Sequence, residues 1–235
     1  YVGLNGGYSW GRSDTAGTFY NAVTGVQVSP TQTGNINLDG WLFGGQIGKN
    51  WQVNQNWVFG LEADAQWTDE RGSRGFICAG GLACNNLTFG PGLNVAPTST
   101  FNQEISWFAT FRGRAGILAT PTALFYATGG LAVAGIKTDG VISAFNALSV
   151  PVAVGWSHDT TRVGWVVGAG LEARLGGNWT GKIEGLYLDY GTVSGSVIHP
   201  TAAIPLRFDY SSRITDVVVR AGVNYHFGSP VVAKY

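Results

Sequence analysis

Residues 216–227, DVVVRAGVNYHF, decide the fold. Taken alternately, Val217, Val219, Ala221, Val223, Tyr225 and Phe227 form an apolar and aromatic set. Asp216, Val218, Arg220, Gly222, Asn224 and His226 form a set that is mostly polar or small. A period of two held for about a dozen residues is long for a strand of a soluble domain. One face suits hydrocarbon. The other carries an arginine, which an apolar core does not accept unpaired. A strand of a transmembrane barrel satisfies both faces, with lipid outside, a polar lumen inside and about ten tilted residues spanning the bilayer.

The same alternation recurs along the chain. It predicts strands at about 1–12, 38–51, 57–68, 104–118, 124–137, 161–175, 179–190 and 216–227. Leu42, Leu186 and Leu188 interrupt the polar parity, and the last two suggest a bulge near the end of the seventh strand. In the Gly- and Ala-rich fifth strand, Phe125, Leu131 and Val133 are expected outward. The connections alternate in length. Long stretches at 13–37, 69–103, 138–159 and 191–213 read as loops, and short turns fall at 53–56, 119–123 and 176–178. The expected architecture is an all-β, eight-stranded antiparallel up-and-down transmembrane β-barrel with four long extracellular loops and short periplasmic turns. The barrel is expected to occupy residues 1–227, followed by a short periplasmic tail at 228–235.

Aromatic placement supports this reading independently. Trp10, Trp41, Trp67, Trp107 and Trp165 fall at predicted outer strand ends. Trp51, Trp57, Trp179, Tyr225 and Phe227 fall at inner ends. Two aromatic girdles follow, because amphipathic rings prefer the membrane interface. Trp156 alone among the tryptophans is expected in a loop.

The inward parity collects the charges Glu62, Asp64, Glu172, Glu184 and Asp216 against Arg112, Arg114, Arg162, Arg174, Lys182 and Arg220. An eight-stranded barrel is just wide enough for side chains to fill it, so these charges must pair. Glu62 and Asp64 are expected against Arg112 and Arg114, and Glu172 and Arg174 against Lys182 and Glu184. The outcome is a plugged lumen. The alternatives are a narrow passive-diffusion pore through the same charges, or a module in which the loops bind haem or a host ligand.

Composition agrees. Charged residues are 12% of the chain, against roughly 25% in ordinary globular proteins. There are 36 glycines and 13% aromatics, and no apolar run long enough for a transmembrane helix. A net charge of zero gives no basic face for nucleic acid. No signal peptide is visible and Tyr1 already sits on a strand pattern, so the sequence reads as a mature or trimmed form. Cys78 and Cys84, in a Gly- and Asn-rich stretch without a nearby histidine, read as a small disulfide loop. His158, His199 and His226 form no spacing that suggests a metal, haem or catalytic site. The expectation is a non-enzyme without a cofactor.

Six blocks carry a family resemblance: YVGLNGGYSWG, GGQIGKNWQ, NWVFGLEAD, RGRAGILATPTALFYATGGLA, GWVVGAGLEARLGGNWTGKIEGLYLDYG and VRAGVNYHFG. In this order they resemble the small outer-membrane porin-family proteins of alphaproteobacteria, the Omp25/Omp31-type outer membrane immunogenic proteins. The resemblance covers the strands and not the long loops. It implies a surface-exposed structural protein of the outer membrane of a Gram-negative bacterium, similar in fold to the membrane domain of OmpA. The implied partners are outer-membrane lipids and lipopolysaccharide, and the barrel assembly machinery. Peptidoglycan would be reached only through a segment before Tyr1. The aromatic end of the last strand, with Phe227, resembles the signal read by that machinery, although the closing PVVAKY departs from barrels that stop at the terminal aromatic.

Overall fold

Alternation carries each strand for twenty residues or more in a computed structural model of the chain. The strands are β1 (Val2–Asn21), β2 (Gln32–Gln52), β3 (Trp57–Ile77), β4 (Thr98–Thr120), β5 (Ala123–Phe145), β6 (Pro151–Gly176), β7 (Trp179–His199) and β8 (Leu206–Tyr225). Each pairs antiparallel with its neighbour in sequence, and β1 pairs with β8 to close the ring. The structure describes residues 1–77, 98–146, 148, 150–200, 202 and 205–228. Among these, no helix is long and apolar enough to cross a membrane. Cys78 and Cys84 and almost all of the 228–235 tail lie outside the described residues.

One end of the barrel is closed by tight turns at 53–56, 121–122 and 177–178. The last is a two-residue hairpin in which Gly177 holds φ at +53°, a conformation that suits glycine. The other end differs from the sequence expectation. Most of 13–37, 138–159 and 191–213 is strand, so the barrel wall continues well beyond the outer girdle. Trp156 lies on β6, packed against the core, rather than in a loop. β8 starts at Leu206 and stops at Tyr225, short of Phe227.

The cause of this difference is a change of phase. Below the outer girdle, the outward face is apolar, as in Leu4, Phe43, Leu61, Phe111, Val167 and Val219, while the buried partners are polar. Above it the outward face carries Arg12, Asp14, Arg71, Lys137 and Asp159. The buried face there is Phe19, Ile36, Leu38, Phe76, Phe101, Ile142, Phe208 and Tyr210. Each strand thus reads as membrane wall for one half and as soluble barrel for the other. An apolar alternation that shifts by one residue midway resembles a strand end when read from sequence. Leu42, Leu186 and Leu188 are the first signs of the shift; all three are buried inside the ring.

Bulges help to set this boundary. Register shifts occur between Trp67 and Glu70 on β3, Ile105 and Trp107 on β4, and Asp189 and Gly191 on β7. The β4 bulge lets Trp107 face outward while Ile105 is fully buried in the core. On β5, Phe125 and Leu131 face out as expected, and Val133 is half-buried on the same parity. The two aromatic rims sit on the outer surface, with Tyr8 against Trp10 and Trp41, Phe43 against Trp67, and Trp165 against Tyr187 at one level. Trp179, Tyr225 and Phe227 follow one another at the turn end, near the level of Trp51 and Trp57.

The ring is not paired over its full height. β6 and β7 share a ladder only from the 177–178 turn up to Trp165 and Asp189. Above that level β6 pairs with β5 and β7 with β8. A seam therefore opens between β6 and β7 at the height of the outer girdle.

Candidate functional site: the charge network of the lumen

Tilt and closure bring inward side chains from distant strands to one level of the barrel. Glu62 and Asp64 come from β3, Arg112 and Arg114 from β4, Glu172 from β6, Lys182 and Glu184 from β7, and Arg220 from β8. All are buried. Arg112 sits at the centre. Its guanidinium reaches Glu62 at 2.5 Å, Asp64 at 2.8 Å and Glu184 at 2.9 Å. Arg220 bridges Glu184 at 2.7 Å and Asp64 at 3.0 Å. Lys182 lies 2.8 Å from Glu62. Arg114 lies 2.6 Å from Glu172 and 3.3 Å from Glu62. Each acid meets at least one base and each base at least one acid, and the four of each sign cancel.

Neutral groups take up the remaining lone pairs. The Tyr1 hydroxyl donates to Glu62 at 2.6 Å and accepts from Arg114 at 2.8 Å. Tyr126 donates to Glu184 at 3.0 Å, and its ring lies 3.9 Å below the Arg114 guanidinium. Thr110 donates to Asp64. Thr180 donates to Glu172, which also lies 3.3 Å from His226. Asn5, Gln46 and Asn224 complete a chain across β1, β2 and β8. Buried ions are tolerable only with this degree of hydrogen bonding, because the cost of removing them from water is several kcal/mol each.

The structure does not bring all of the expected charges into this network. Arg174 is exposed and donates to the Gly177 carbonyl at the turn, so Glu172 pairs with Arg114 instead. Arg162 is half-buried on β6 beside the seam, with its Nε unpartnered. Asp216 is buried with both carboxylate oxygens unpartnered. Sequence reading missed the tyrosines and Thr180. Tyr1 lay on the polar parity of its strand, which was the available signal; Tyr126 was obscured by the weak alternation of β5. His158 is exposed, His199 is buried near the Val152 carbonyl and His226 sits at the turn end, so the three histidines do not converge. Among the described residues, no group of three or more His, Cys, Asp or Glu is arranged to hold a metal ion.

Space inside is small. A cavity of about 20 Å³ lies at the turn end among Asn50, Leu118, Leu124, Glu172, Thr180 and His226. That is room for about one water. Above the network, the lumen is lined mainly by the aromatic and aliphatic core of the outer half.

Comparison with known proteins places this arrangement. The model of the outer membrane protein beta-barrel domain matches residues 1–227. The chain belongs to this outer-membrane β-barrel family. Among its relatives, the 31 kDa outer-membrane immunogenic protein of Brucella melitensis biotype 1 is 31% identical, over 97% of this chain and 82% of that one. The 25 kDa outer-membrane immunogenic protein of Brucella abortus biovar 1 is 26% identical, over 97% and 78%. A 22 kDa outer membrane protein of Rhizobium leguminosarum is 29% identical over 63% of this chain and 53% of its own length. Of solved structures, the outer membrane protease OmpT of Escherichia coli aligns over 96% of both chains at 9% identity, with a TM-score of 0.47. Like its family, the protein resides in the outer membrane.

Proposed function

We propose that this outer-membrane barrel is a structural wall protein with a closed lumen, contributing to envelope integrity and presenting its outer half at the cell surface. The observation that carries this reading is the complete cancellation of four buried acids by four buried bases across the bore. A selective pore needs a free ring of one sign or an open constriction that ions can enter and leave. Here the centre is occupied by side chains that bind one another, and an apolar core lies above them. Among the described residues, no catalytic constellation accompanies the network. Lipids and lipopolysaccharide around the girdles, and the assembly machinery, are the partners this reading requires.

The test is conductance of the folded barrel in a planar bilayer at several salt concentrations, with folding verified by heat-modifiable migration. The expected outcome is no resolved channel steps. Steady ohmic steps of porin size, altered in selectivity by Arg112→Gln, would overturn the closed-lumen reading.

A further inference from the structure

Two lumen carboxylates stand apart from the network. Glu70 on β3 and Asp216 on β8 are both buried, at 0% and 1% exposure. Asp216 is directly opposite Gly11 across the β1–β8 ladder, and both face inward. The Glu70 Oε2 atom lies where it would be 3.2 Å from a β-carbon on Gly11. Glu70 therefore reaches over Gly40 of β2 to Gly11 of β1, the residue opposite Asp216, using space that the glycines leave open. Glu70 Oε2 and both Asp216 oxygens lack a well-formed hydrogen bond, although the Val217 N–H lies beside Asp216; the other Glu70 oxygen accepts from Thr68 at 3.0 Å. Among the described residues, no lysine or arginine forms an ion pair with either group. The surrounding charge is also negative, with Asp39 and Asp69 acting on Glu70 from the rim.

A second buried group belongs to the same neighbourhood. Tyr190 on β7 is 1% exposed, and its hydroxyl has no partner. Its strongest electrostatic neighbours are Asp216 and then Glu70. Tyr190 is the residue left over by the β7 bulge, which sits at the foot of the β6–β7 seam. Ser9 adds a hydroxyl on the Glu70 side. Burying two carboxylates and a phenol together, all short of partners, is costly unless something between them supplies positive charge.

We propose that Glu70, Asp216 and Tyr190 form a lumen site for a hard divalent cation of the calcium class, reached through the seam. The donor set is all oxygen, which suits calcium or magnesium and not a soft metal. Two carboxylates neutralise a charge of two. Three protein groups leave coordination positions for water, and calcium tolerates such irregular, partly hydrated geometry better than magnesium does. The seam begins at Trp165 and Asp189, next to Tyr190, so an ion entering there would break no β6–β7 ladder bonds and would stay above the charge network. The bound ion would join β3, β7 and β8 at the level where the barrel ladder is interrupted.

The experiment uses the full chain folded in zwitterionic detergent. Binding is read by tyrosine-sensitised terbium luminescence with calcium competition. Stability is read as the midpoint of heat-modifiable unfolding, in calcium chloride against potassium chloride of equal ionic strength. Calcium should raise the midpoint of the native protein. Glu70→Gln and Asp216→Asn should each weaken calcium competition roughly tenfold or more, and the double variant should lose the calcium shift. These amides relieve repulsion, so in chelator the variants should fold at least as well as the native chain. Tyr190→Phe should keep the fold and weaken binding by less, scored by the calcium-dependent midpoint because it removes a luminescence donor. Asp159→Asn, on the exposed outer wall, should leave the shift unchanged. An equal calcium shift in the double variant would assign binding to the surface and overturn the proposal. So would the absence of any calcium effect together with a midpoint that follows pH alone, which would mean the two carboxyls share a proton instead.

Discussion

The inner and outer halves of this barrel solve the same packing problem in opposite ways. In the inner half, lipid covers the outside, and Arg112, Arg220 and their carboxylates fill the inside. In the outer half, Arg12, Asp14 and Lys137 face water, and Phe76, Phe101, Phe208 and Tyr210 fill the inside. The backbone is continuous between them. What changes is the solvent outside, and the interior changes with it. Side chains that cannot face their surroundings turn inward, and only there do they need specific partners. The hydrophobic effect organises the outer half, while charge-assisted hydrogen bonding organises the inner one.

The largest test of this contrast lies at the centre of the network. Arg112→Ala takes one cation from each of three buried carboxylates and leaves a net negative charge in a dry interior, and the expected loss is about 3–5 kcal/mol. Unfolding from lipid vesicles with urea measures it. A loss below about 1 kcal/mol would show that water reaches the network and that the inner half is not a plug. Next comes Phe208→Ala, which removes a ring packed on Phe19, Phe76 and Tyr210. About 3 kcal/mol is expected. Hydrogen exchange resolves where the loss falls: increased exchange confined to strand residues above the outer girdle would show that the halves open separately, whereas a uniform increase would show one cooperative unit. The smallest effects locate the boundary itself. Arginine at Val219, on the lipid face, should cost about 2–3 kcal/mol. Arginine at Ser143, exposed on the same wall above the girdle, should change stability by less than about 0.5 kcal/mol. Equal costs at the two positions would remove the boundary.

The inner half was largely legible in the sequence because one pattern covers both faces. Val217 to Phe227 names the lipid side, and Arg220 names the lumen. Strand parity also put Glu62 and Asp64 on the same face as Arg112 and Arg114. Parity gives the face but not the height or the reach. Arg174 shares the inward parity, yet lies close enough to the turn to leave the bore for the Gly177 carbonyl. Glu172 turns instead to a strand distant in sequence. The outer half was illegible for a different reason. The assumption of lipid on the outside fails there, so Arg207 and Asp209 read as loop although they flank Phe208 on a regular strand. Glu70 was lost in the same way, beyond the point where the apolar parity of β3 stopped. The bulge expected near the end of the seventh strand is present beside Asp189, whereas those next to Trp67 and Trp107 carry no strong sequence signature; all three re-aim side chains at the boundary.

The inversion at the outer girdle bears on how such a wall is made. A finished outer half cannot be pushed through a bilayer, because Arg12, Asp14, Arg71 and Lys137 on its outside would have to cross hydrocarbon. Its strands must pass before that surface exists, threaded as open chain. The aromatic interior can then assemble only on the far side, after the inner half has sealed behind it. The order of assembly is thereby written into the wall: translocation first, collapse of the exterior half last, with the finished cap too polar on its outside to slip back.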